Sequence, residues 1–228
     1  MRVLAIDTAL GACSAAVLDT EPVSVLASES LPMVRGHAEA LIPLVAELMR
    51  RSHLGFSNID RIVVTTGPGS FTGLRVGIAA ARAIALAADR PAFGVSTLSA
   101  YAAPHLADDG TSPVVTAIDA RHDHVYLQVF GSAGRVLVAP RLAALAEAVR
   151  AAAEAPTRLV GSAAQAIADR LPDAAPTPLC VDSRDAPDIV WVARMGVVLP
   201  TGQAPPKPQY LRAPDAQPQN AAQLPRRS

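Results

Sequence analysis

Residues 67–77 read GPGSFTGLRVG, and what flanks them decides the fold. Arg61–Thr66 (RIVVTT) before the loop is an apolar, β-branched run that suits a strand, and Gly73–Ala88 (GLRVGIAAARAIALAA) after it is a long helix former. A loop this rich in glycine, with a proline, implies a backbone that turns sharply and packs closely. The helix start it feeds can present backbone N–H groups to an anion. It is not a Walker A loop: no Lys follows the last glycine, and the spacing from Gly67 to Gly73 is one residue too long. The helix itself is small at Gly73, Gly77, Ala80, Ala81 and Ala85, and apolar at Leu74, Val76, Ile78, Ile84 and Leu86. A helix with so little polar surface is expected to be buried nearly all round, by its own domain or by a partner.

Outward from this unit, the preceding residues read as three strands and a helix. Arg2–Asp7, Cys13–Asp19 and Val23–Leu31 are the strands. His37–Ser52 carries Leu41, Leu44, Val45 and Leu48 at helical spacing. Pro43 inside that helix removes one backbone bond and is expected to kink or restart it. Ala92–Val95 begins a further strand. A second block opens similarly, with strands at Pro113–Asp119, His124–Phe130 and Gly134–Val138, a helix at Leu142–Glu154, a strand at Thr157–Gly161, and helices at Ala163–Leu171 and Ile189–Leu199. Two strand-rich blocks, each followed by helices, point to a duplicated α/β fold with mixed sheets. The expected division is 1–104 for the first lobe, 105–199 for the second, 200–212 for an extended Pro-stiffened segment and 213–228 for a disordered tail.

At 228 residues, half of them hydrophobic, the chain can bury a substantial core. Its formal net charge is zero, which argues against tight independent binding to nucleic acid. All of the 20 basic residues except Lys207 are Arg, which reads as coding bias. Cys13 and Cys180 make no disulfide or metal framework, which fits a reducing cytoplasm. Neither a signal-peptide pattern nor an uncharged apolar run of membrane-spanning length is expected, since Arg82 interrupts Ile78–Ala88.

Residues with chemical potential are few. His122 and His124 bracket Asp123, but two imidazoles without a third ligand read better as part of a polar turn (RHDH) than as a metal site. No HExxH or CxxC spacing occurs. Ser70 is not in a G-x-S-x-G elbow, and Ser70 and Thr72 read as helix-start caps. Asp7 and Thr8, at the end of the first strand beside a tight turn, suit either metal–phosphate contact or plain turn capping.

AIDTALGACSAAVLD (residues 5–19), HAEALIPLVAELM (37–49), VTTGPGSFTGLRVGIAAARAIA (64–85), VSTLSAYA (95–102), DARHDHVY (119–126) and PQYLR (208–212) together resemble the bacterial TsaB (YeaZ-type) family. The resemblance runs in order from Val3 to about Arg212, and GPGSFTGLRVG is its most specific part. It implies a duplicated βββαβα actin-like ATPase fold of the Hsp70 and sugar-kinase superfamily (RNase H-like), in two lobes. The implied role is that of a non-catalytic dimerisation subunit in making threonylcarbamoyladenosine in tRNA, on the adenosine 3′ of the anticodon. The implied partners are the catalytic subunit TsaD, the ATPase TsaE and, when alone, a second copy of the chain, with tRNA met only inside the complex and no membrane. TsaD carries a metal-binding V-x-H-x-x-G-H segment; the corresponding Val95–Tyr101 has Thr97 and Tyr101 at the histidine positions, and Asp188 is a loose match for a later acidic ligand. No catalytic residue, metal or cofactor is therefore expected, beyond a vestigial nucleotide site at Asp7, Thr8, Gly67 and Gly69. The implied partner surface is made by the two helices, through His37, Leu41, Leu44, Val45, Leu48, Gly73, Leu74, Gly77 and Ala81. Alternatives are an actin-like nucleotide-binding enzyme (ATPase or phosphotransferase) and a glycoprotease-like peptidase, the latter lacking a visible nucleophile.

Overall fold

A computed structural model describes residues 1–108 and 110–212; the expected disordered tail lies outside the described residues. The first half runs β1 (Arg2–Asp7), β2 (Ala12–Thr20), β3 (Val23–Pro32), α1 (His37–Arg51), β4 (Arg61–Thr65), α2 (Phe71–Ala88), β5 (Ala92–Val95) and α3 (Thr97–Asp108). The second half repeats the series as β6 (Val114–Asp119), β7 (His124–Phe130), β8 (Val136–Ala144), α4 (Leu145–Ala153), β9 (Arg158–Val160), α5 (Ala164–Ala168), β10 (Cys180–Asp182) and α6 (Ile189–Val198). Their sheets have matching orders, β3-β2-β1-β4-β5 and β8-β7-β6-β9-β10. In each, three strands pair antiparallel and the fourth lies parallel to the first. The duplication inferred from the order of elements is thus real at the level of topology, and each unit is βββαβαβα.

Strand periodicity explains the layering. In sheet one, Leu4, Ile6, Ala15, Val17, Ile62 and Val64 face α1 and α2, while Val3, Ala5, Ala16, Leu18 and Val63 face Ile189, Val192 and Ala193 of α6. Alternate side chains leave a strand on opposite faces, so the centre of this sheet is buried on both faces and its central strands β1 and β4 read as nearly unbroken apolar runs. In sheet two, Val115, Ala117, Val125 and Leu127 face α4 and α5, and Val114, Ile118 and Phe130 face Leu98, Tyr101 and Ala102 of α3. The last helix of each unit therefore crosses to the other unit's sheet, and α3 and α6 pack together in the middle. Ile189–Val198, grouped with the second lobe on sequence, covers the first sheet.

Three local differences from expectation have physical reasons. Pro43 does not divide α1, which is one element through an exposed proline. β8 runs on to Ala144 through Pro140, because it is an edge strand where a missing N–H is tolerated, and the expected helix start at Leu142 moves to Leu145. α3 and β10 have no clear sequence signature: one is a Pro-containing helix without a polar face, the other three residues long.

Candidate functional site

The glycine loop joins β4 to α2 and faces the turn between β1 and β2. Ser70 caps α2 as expected, its hydroxyl accepting from the Gly73 N–H at 3.3 Å, and its own N–H donates to the Ala9 carbonyl at 2.7 Å. The Thr8 hydroxyl donates to the Gly73 carbonyl at 2.7 Å. A Cβ built on Gly69 would overlap the Ala9 carbonyl, on Gly73 the Thr8 carbonyl, and on Gly77 the Thr8 hydroxyl. The loop and helix are therefore seated directly on the Thr8–Ala9 backbone, and glycine is needed for that approach. Gly67 lies beneath residue Gln209, whose N–H donates to the Thr66 carbonyl at 2.7 Å.

Asp7 is fully buried. Its Oδ1 accepts from the Thr65 hydroxyl and from the Ala9 N–H, the latter at 3.1 Å, and Oδ2 has no hydrogen-bond partner. Burial pushes its carboxyl above the ordinary value, partly offset by those two bonds. The structure thus brings Asp7, Thr8 and Gly69 together and places Gly67 at the rim. Hydrogen bonds within the chain join the two turns, with the Asp7 carboxylate capping the β1–β2 turn and Thr8 and Ala9 bonded to the glycine loop.

Thr97 and Tyr101, on the first turns of α3, are both buried, and the Tyr101 hydroxyl donates to the Arg184 carbonyl at 2.9 Å. Asp188 caps α6, accepting from the Val190 N–H at 2.9 Å. His122 and His124 sit on an exposed turn, where His124 Nδ1–H donates to the His122 carbonyl at 2.6 Å. Among the described residues no group of three His, Cys, Asp or Glu can hold a metal ion.

The two-helix surface requires a correction at the level of side chains. His37, Leu41, Leu44, Val45, Leu48, Gly73, Leu74, Gly77 and Ala81 are all buried within the chain. They form the inner faces of α1 and α2 against sheet one, and His37 Nε2–H donates to the Leu10 carbonyl at 3.1 Å. These nine side chains are not free to meet another molecule while the core is intact. What the helices offer outward is different: Ile42 at 53% exposure and Leu86 at 85%, with Ala79, Arg82 and Ala83, and Val34 at 90% in the turn just before α1. Of the two covers expected for α2, the chain's own domain supplies only the inner one. α2 is also the one helix, among the described residues, long and apolar enough to cross a membrane; its Leu74, Ile78, Ala81 and Ala85 stripe instead packs within core one.

At the mouth of α2, Arg75 lies over the Phe71 ring at 3.6 Å and donates to the Tyr210 hydroxyl at 3.2 Å, while Tyr210 packs on Phe71 with centroids 5.3 Å apart. The extended segment expected after Pro200 does lie on the body, with Pro206 buried beside Gly94 and Arg212 donating to the Ala120 carbonyl at 3.1 Å. An open groove of about 460 Å³ runs between this segment and α2, lined by Arg75, Ile78, Ala79, Arg82 and Pro208.

Duplicated βββαβαβα units with exchanged third helices define a two-lobe, actin-like α/β protein. Comparison with known proteins places it within that class. The profile of TsaD, tRNA N6-adenosine threonylcarbamoyltransferase, matches residues 25–175. The tRNA threonylcarbamoyladenosine biosynthesis protein TsaB of Escherichia coli K12 is 40% identical over 126 residues, 55% of this chain and 53% of that protein. The chain thus spans about half the length of that relative. An uncharacterised protein of Mycobacterium tuberculosis H37Rv is 36% identical over 95% of this chain and 94% of its own length. A Pseudomonas aeruginosa crystal structure, described as similar to peptidase YEAZ, superposes with a TM-score of 0.76 at 28% identity, over 92% of this chain and 99% of that one. The chain belongs to the TsaB (YeaZ-type) family.

Proposed function

We propose that the chain is a non-catalytic, cytoplasmic subunit of the machinery that makes threonylcarbamoyladenosine in tRNA. It docks the catalytic subunit TsaD, and the pair helps recruit TsaE. The observation that carries this is the seating of the glycine loop on Thr8 and Ala9, with the Asp7 carboxylate engaged in capping the same turn. Buried Thr97 and Tyr101, where the catalytic relative has histidines, support the same reading.

Docking uses the outward sides of α1 and α2, around Val34, Ile42, Ala79, Ala83 and Leu86. Exposed apolar side chains on two helices suit a helix-on-helix contact, and a standard interface needs about 1,600 Å² in total. Size-exclusion with light scattering on the chain alone and mixed with TsaD tests it. The expected result is a homodimer that converts to a one-to-one heterodimer, with Leu86→Arg blocking both at unchanged thermal stability. Gly77→Arg is unsuitable as a probe because it would disrupt the core. A chain indifferent to TsaD, or a heterodimer untouched by Leu86→Arg and Val34→Arg, would overturn the docking surface.

A further inference from the structure

Away from the glycine loop, α3 and the edge strand β10 bring a thiol, an imidazole and a carboxylate into line. Cys180 Sγ lies 3.8 Å from His105 Nδ1. His105 Nε2 lies 3.1 Å from Asp182 Oδ2. Asp182 is held in turn by a two-point fork from Arg184, Nε to Oδ1 at 2.9 Å and Nη2 to Oδ2 at 2.6 Å. The carboxylate therefore takes the Nε2–H, which leaves the Nδ1 lone pair facing the thiol. This is the order nucleophile, base, orienting acid that activates a cysteine. The two ring nitrogens point to different partners, so the three groups do not converge on a single metal ion.

We propose that Cys180 is a base-activated thiol and a site of covalent modification by low-molecular-weight disulfides. In the step, the Sγ–H proton passes to His105 Nδ1 as sulfur attacks one sulfur of the disulfide R–S–S–R. The Cys180–S–S–R bond forms, the S–S bond of the reagent breaks, and R–S⁻ leaves; the Nδ1 proton passes to it, or to solvent when the leaving thiol is as acidic as a nitrobenzoate. Cys180 is oxidised to the disulfide level and the released half is reduced to its thiol. Asp182 and Arg184 are positioning residues that hold the ring in its useful tautomer.

The surroundings favour a base-assisted step over a preformed thiolate. Cys180 is partly buried and faces Arg158 from β9, Asp108 from α3, and Asp182 on its own strand. Burial pushes the thiol up, and Arg158 offsets only part of this. Burial raises the Asp182 carboxyl too, but the Arg184 and His105 bonds outweigh it and hold it below the ordinary range. The second cysteine provides an internal blank, because Cys13 is fully buried and pushed up to about 11 by burial and by Asp7.

The test is reaction of the full native chain with an aromatic nitrobenzoate disulfide, followed by the colour of the released thiolate and by peptide mass spectrometry. One equivalent should react, on the peptide bearing Cys180. Cys180→Ser should abolish the reaction, and His105→Gln should slow it at neutral pH by roughly a hundredfold. A wild-type rate in folded His105→Gln, or modification confined to Cys13, would overturn the proposal. Asp182→Asn removes the carboxylate that orients the ring and should also slow the reaction; where His105→Gln does not fold, an unchanged rate in Asp182→Asn overturns the proposal.

Discussion

Gly77→Ala is expected to destabilise the protein even though alanine is the better helix former. In an exposed helix the change would stabilise by about 1 kcal/mol. Here the new methyl overlaps the Thr8 hydroxyl, which donates to the Gly73 carbonyl at 2.7 Å in a buried position. Overpacking of this kind costs about 1–3 kcal/mol, and displacing the hydroxyl forfeits a bond worth about 1 kcal/mol. The net expectation is a loss of about 1–3 kcal/mol. The same methyl is otherwise well placed: its next neighbours, Val64 Cγ2 at 3.4 Å and Thr8 Cβ at 3.7 Å, are at van der Waals contact. In a Thr8→Ala background, which itself costs about 1 kcal/mol, Gly77→Ala should therefore be neutral or stabilising by up to about 1 kcal/mol. Urea unfolding followed by far-UV circular dichroism on the four proteins gives the cycle, with a coupling of roughly 1–4 kcal/mol expected. If Gly77→Ala costs as much without the Thr8 hydroxyl as with it, the seating of α2 on the β1–β2 turn is not what demands glycine.

Two further perturbations probe the core and the buried carboxylate. A methyl at Gly196 would overlap Val63 of the sheet and come within 3.0 Å of its Cβ, so Gly196→Ala should lower stability by about 2 kcal/mol, or roughly 4–8 °C in Tm; an unchanged Tm in calorimetry would mean that α6 is not held against the first sheet. Asp7→Asn keeps an oxygen for Thr65 and Ala9 while removing a carboxyl whose native pKa lies above the ordinary 3.8. The raised carboxyl favours the native state below the unfolded value and loses that contribution as pH rises through the native one. Relative to wild type, the variant should therefore gain stability from acid towards neutral pH, and a difference that shrinks instead would contradict a protonation-favouring site.

Much of this fold is legible in the chain itself. VLAI in β1 and IVV in β4 are unbroken apolar runs, and a strand without a polar face must be covered on both sides. The repeated order of strands and helices exposes the duplication, and Ser70 announces the start of α2. The segments 37–51 and 71–88 also declare themselves as helices, with all nine of the residues singled out on them apolar or small except His37. These features are local: period, capping and turn chemistry act over a few residues, so composition and spacing carry them.

What covers each face is a different matter, because it depends on contacts between distant segments. Nothing in TLSAYAAPHLAD or IVWVARMGVV says that α3 and α6 each cross to the other unit's sheet. The same contacts turn the apolar faces of α1 and α2 inward and leave Val34, Ile42 and Leu86 outside. Asp7 suits either a phosphate ligand or a turn cap on sequence grounds; the cap, made to the Ala9 N–H, becomes visible only in the folded chain. His105, Cys180 and Asp182 were scattered residues until a helix without an amphipathic signature and a three-residue strand set them side by side. Periodicity says that a surface must be buried, but only tertiary packing selects the partner, since apolar attraction has magnitude without direction.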